Sequence, residues 1–166
     1  MSGDDVLLTI AELSVAFAGF SGVVAVFGQR AAGRWSDEDF VRLLFLISSS
    51  LVVVFLALLP FFLRLLHCPD AVAWGISSAF LAASAVALTV SALRRVRSVH
   101  SKQPFFLGAT LVNSLLRASA FILQVLNIFG PFDLEAGPYV VGTGLLLLTA
   151  VLPFGTLLYR GIVRQS

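Results

Sequence analysis

Charge is what this 166-residue chain has least of: Asp, Glu, Lys and Arg together make 12% of it, against 58% apolar residues. A soluble domain carries about 25% charged and about 45–50% apolar residues, so an ordinary water-facing surface is excluded. The longest polar stretch is about ten residues, which leaves no room for a soluble domain. The one cysteine, Cys68, rules out an internal disulfide and any cysteine-based metal cage. Catalytic signatures are missing too: there is no H-E-x-x-H, no G-x-S-x-G in strand context and no phosphate loop. The segments "AGFSG" and "GTG" lie inside apolar runs and carry no catalysis, so the reading is of a non-enzyme without a cofactor.

What is present is long apolar runs. Five of them, Val6–Gly28, Phe40–Leu66, Ala71–Leu93, Phe105–Phe129 and Tyr139–Val163, each exceed the length needed to cross a hydrocarbon core of roughly 30 Å at 1.5 Å per residue. The predicted fold is an all-α integral membrane protein, one domain of five transmembrane helices; four spans with a re-entrant segment is the alternative. Pro60 predicts a kink or an early exit of the second span, and Pro153 with Gly155, below Gly142 and Gly144, a bent or interrupted fifth. "WSDED" places Ser36 as N-cap of the second span with Asp39 completing a capping box, and Trp35 at the interface. "GPFDLEAGP" reads as a turn outside the bilayer.

The net charge of +2 rests on basic residues gathered on one side. Arg30, Arg34 and Arg42 follow the first span, Arg94, Arg95, Arg97 and Lys102 the third, and Arg160 and Arg164 the fifth. The opposite side, with "MSGDD", "HCPD" and the acidic turn, has only Arg64. The positive-inside rule therefore puts the N-terminus outside and the C-terminus in the cytoplasm. The N-terminal run lacks a basic n-region and a cleavage motif, so it reads as an uncleaved span. These clusters face a membrane surface, and nucleic acid is not an expected partner. The loop "RRVRSVHSK", which includes His100, has the charge to attract anionic lipid.

Polar residues at membrane depth are the candidate functional residues, because each is costly there without an inward partner or water. Thr110, Asn113, Ser114, Arg117 and Gln124 fall within about 100° of one another on the fourth span, with Asn127 at the edge of the stripe. Arg117 lies near mid-span and needs a partner. Glu12 is the one acid well inside a span, so a Glu12–Arg117 pair is expected, with the first and fourth spans as neighbours and Asn113 and Gln124 as supports. The pair reads either as a device fixing helix register or as part of an ion path.

Ser14, Ala18 and Gly22 recur every four residues on the first span, and Ser77 and Ser84 begin a seven-residue serine repeat on the third; both predict close helix packing. Ser48 to Ser50 are weak evidence of a pore, since serine bonds back to its own helix. His67, Cys68 and Asp70 have ligand chemistry but no second histidine or cysteine nearby, and read as an interfacial turn rather than a metal site.

The stretch "AELSVAFAGFSGVV", followed by a short basic loop with Trp35 and by "LLP" near the end of the second span, resembles small bacterial inner-membrane proteins of uncharacterised function. The likeness covers the first third to half of the chain. It implies a bacterial inner-membrane setting and no activity. Expected partners are the lipid bilayer, further copies of the chain and a partner membrane protein. Three functions follow: a homo-oligomeric channel-like pore, a non-catalytic scaffold, accessory or immunity-type subunit, and a compact proton-coupled transporter.

Overall fold

The computed structural model describes residues 2–32, 37–98, 104–130 and 134–163, with backbone alone for 24–32, 37–42, 95–98, 104–107, 109, 153 and 156–163. Five α-helices account for nearly all of it: α1 (Gly3–Ala32), α2 (Asp37–Leu65), α3 (Asp70–Ser98), α4 (Pro104–Phe129) and α5 (Ala136–Val163). Apolar stretches of α1 to α4 are long enough to cross a membrane, and the described apolar stretch of α5, Ala136–Leu152, is shorter. Ser36, Trp35, His100 and Lys102 lie outside the described residues.

Helix boundaries follow local chemistry. Ser2 and Asp5 cap α1 reciprocally: the Ser2 amide donates to the Asp5 carboxylate at 2.8 Å and the Asp5 amide to Ser2 Oγ at 3.2 Å. Helix α2 ends in a Schellman motif, in which Cys68 N donates to Leu63 O and His67 N to Arg64 O, with His67 left-handed at φ 61°. That turn occupies the His67–Cys68–Asp70 cluster. Helix α2 runs unbroken through Pro60 to Leu65, and α5 is continuous past Pro153, so neither helix exits early or is interrupted.

The last helix is the hub. Helix α5 touches the other four, α1 packs on α2 and α5, and α3 lies against α2, α4 and α5. Leu7, Leu56, Leu81, Tyr139 and Leu146 meet in the core. Helix α4 shows the polarity expected of a lipid-facing element: it buries Asn113, Arg117, Gln124 and Asn127 while exposing Leu111, Leu115 and Ile122. In water that arrangement would forfeit the hydrophobic drive; in lipid it turns the costly groups away from hydrocarbon and toward protein.

One end of the bundle is closed by ions. Arg64, at the C-terminus of α2, bonds Asp4 of α1 at 2.8 Å, lies 3.1 Å from Asp70 of α3 and stacks 4.6 Å over the Trp74 ring. Both acids sit in the first turn of their helices and the arginine in the last turn of its own, as the helix dipoles favour.

Candidate functional site

Two polar surfaces emerge, one inside the bundle and one outside. The inner surface belongs to α4. Nearest the Arg64 end, the Asn127 amide donates to Ser78 Oγ at 3.0 Å and to Glu135 O at 3.2 Å. One turn further in, Gln124 donates to Pro138 O at 3.0 Å. Its amide occupies the space that a side chain on Gly142 would need, which explains a glycine in the buried face of α5. Arg117, 1% exposed, donates one long bond of 3.4 Å to Leu88 O and lies 4.5 Å over the Phe45 ring. Among the described residues its Nε and Nη2 have no hydrogen-bond partner, and neither do Oδ1 of Asn113, Oε1 of Gln124 and Oδ1 of Asn127. Ser114 and Thr110 continue the face, each half-buried.

Arg117 does not meet Glu12. Among the described residues α1 makes no contact with α4, and Glu12 is exposed. Two geometric facts forbid the pair. Residues two apart on a helix step about 200°, so with Ser14 buried against the bundle Glu12 must face away from it. The side chains also lean toward the starts of oppositely running helices. Glu12 lies about 12 Å along α1 from the Asp4 layer, whereas Leu88 and Phe45, which bracket the Arg117 guanidinium, lie about 27 Å from the same layer along α3 and α2. A gap of about 15 Å along the bundle exceeds what the two side chains can bridge.

The outer surface is on α1. Asp5, Thr9, Glu12, Ala16 and Gly19 are all exposed and fall within about 80° of one another. Larger apolar side chains flank this narrow stripe: Leu8 and Val15 on one side, Leu13 and Phe20 on the other, all exposed. Within the Gly3–Val23 apolar stretch, Glu12 lies near the midpoint.

The small-residue positions divide. Ser14 is buried and bonds Ile10 O at 2.7 Å, and Ala18 is half-buried. Gly22 is exposed, and among the described residues neither it nor Gly19 has an atom within 4 Å of where a Cβ would stand. Ser77 is buried and Ser84 half-buried on α3. Ser48 and Ser49 bond back to Leu44 O and Phe45 O within α2.

Sequence reasoning passed over Tyr139. It is fully buried, tilted against Trp74 at 5.7 Å, and its hydroxyl donates to Leu56 O at 2.5 Å. The signal was available in Pro60: proline has no N–H, so the carbonyl four residues earlier loses its helical donor. Among the described residues no group of three or more His, Cys, Asp or Glu side chains is placed to hold a metal.

No family model, curated protein or solved structure matches this chain.

Proposed function

We propose that the chain is a subunit of a homo-oligomeric, channel-like membrane assembly in which the outward stripe of α1 lines the shared axis. The observation that carries this reading is the exposed carboxylate of Glu12 at the middle of an apolar span. An acid facing hydrocarbon at that depth costs at least about 2.5–3.5 kcal/mol. Copies arranged around an axis turn Glu12 toward water and toward one another, while Leu8, Val15, Leu13 and Phe20 pack between subunits. Ala16 and Gly19 keep the lining narrow without filling it. A ring of carboxylates selects cations, so a cation is the expected permeant species.

This reading relocates the polar path from α4 to α1. The α4 stripe is turned into its own chain, where it holds α3 and α5 in register. A compact proton-coupled carrier with Glu12 as its titrating group draws less support, since Glu12 faces outward from its own chain, away from the buried polar residues of α4.

The second reading, a scaffold or accessory subunit, is favoured by the bare backbone at Gly19 and Gly22, against which a partner's helix fits closely. Thiol labelling separates the two. In a Cys68→Ser background, Ala16→Cys in membrane-embedded protein is expected to react with a water-soluble thiol reagent and Phe20→Cys to resist it. A buried, unreactive position 16 supports the partner-helix reading instead.

A further inference from the structure

Between α3 and α4, on the face away from α1, the structure has a groove of about 580 Å³. Its floor is made by small side chains, Ala83 and Ala87, with Val86 and Val90 beside them; Phe121 of α4 forms the opposite wall, and Arg94 closes one end. From Ala82 to Arg94 the groove follows α3 for about 18 Å, close to the roughly 15 Å depth of one leaflet's hydrocarbon. Arg94 is exposed and makes no ion pair with a described residue. It stands where α3 leaves the apolar stretch Asp70–Arg94, the level of the headgroups.

We infer that this groove binds one anionic phospholipid, an acyl chain lying along Ala83 and Ala87 and the phosphate paired with Arg94. Shape and charge argue for the same occupant. Apart from Ser91 the described lining is apolar for the length of an acyl chain up to the basic Arg94 end. A tail-only ligand leaves that guanidinium unanswered, and a zwitterionic headgroup offsets its phosphate with its own cation, so a net anionic headgroup answers it best. A guanidinium pairs a phosphate bidentately, and a long side chain at a helix end reaches the headgroup level while its stem lies on apolar surface. The inference needs the bundle to sit in a bilayer. It does not depend on α1 lining a pore.

The test is native mass spectrometry of the full chain in detergent, titrated separately with dioleoylphosphatidylglycerol and dioleoylphosphatidylcholine. Wild type is expected to retain one phosphatidylglycerol in preference to phosphatidylcholine by about fivefold, the size of one basic contact at the membrane surface. Arg94→Gln removes that preference and leaves weak, headgroup-blind binding; Ala87→Phe, which fills the groove, removes both. Arg64→Gln, at the other end of the bundle, keeps the preference, and excess inorganic phosphate does not displace the lipid. Equal retention of the two lipids by wild type, or an unchanged preference in Arg94→Gln, overturns the inference. So does a dimer that Ala87→Phe abolishes, because the groove then holds a second chain. Arg94 is exposed at a helix end, so its variant remains informative if Ala87→Phe does not fold.

Discussion

The hydroxyl of Tyr139 donates to the carbonyl of Leu56, the one carbonyl of α2 that Pro60 deprives of its helical donor. An orphaned carbonyl in the core of a membrane bundle costs several kcal/mol. Helix α5 answers the proline of α2, and the bond ties the hub to that helix. Tyr139→Phe is expected to lower stability by about 1–3 kcal/mol, the penalty of a buried unpaired acceptor. In a Pro60→Ala background, where residue 60 again supplies an N–H, the same change is expected to cost clearly less. Unfolding in detergent gives the double-mutant cycle, and additive losses would contradict the account.

Gln124 and Gly142 form a second coupled pair. Gly142→Ala must displace the Gln124 amide from its bond to Pro138 O, so a loss of about 1–3 kcal/mol is expected. With Gln124 shortened to Ala beforehand, the substitution at Gly142 should be close to neutral. A full loss in both backgrounds would show that something other than Gln124 excludes the methyl group.

His67 holds the left-handed position that ends α2, and its side chain is exposed. Glycine adopts that backbone without the Cβ penalty of about 1–2 kcal/mol. His67→Gly should therefore raise Tm, and His67→Val should lower it, because a β-branched residue is least tolerant of positive φ. A lower Tm for the glycine variant would mean that the imidazole itself contributes.

Arg117 is a buried charge whose described partners are one long carbonyl bond and an aromatic face. Replacing such a charge by an apolar side chain of similar volume is often neutral or stabilising by about 1–4 kcal/mol. Arg117→Met is thus expected to hold or raise stability. A loss of several kcal/mol in equilibrium unfolding would mean that a strong partner is removed with the guanidinium.

Much of this arrangement is written in the periodicity of the sequence. The inward stripe of α4 follows from Asn113, Arg117 and Gln124 sharing one face, since a helix so marked has a single sensible orientation in lipid. The same rule was sufficient to separate Glu12 from Ser14, which face opposite ways on α1. The Glu12–Arg117 pair failed because matching two lone charges takes no account of which helices touch or of where their side chains lean. Helix adjacency is a tertiary property: Arg64 finds Asp4 sixty residues away because the ends of α1 and α2 meet, and no local pattern announces that. Tyr139 was illegible for the same reason, although Pro60 marked the carbonyl it serves.

The central claim is that Glu12 faces a water-filled axis shared between copies, and ion permeability reports on it directly. Purified protein reconstituted in liposomes should pass cations in preference to chloride, and Glu12→Gln should abolish most of that preference while the oligomer, followed by cross-linking in the same vesicles, persists. An oligomer whose cation-to-chloride permeability ratio is the same with Gln at position 12, or vesicles in which the wild type carries no ion at all, would contradict it.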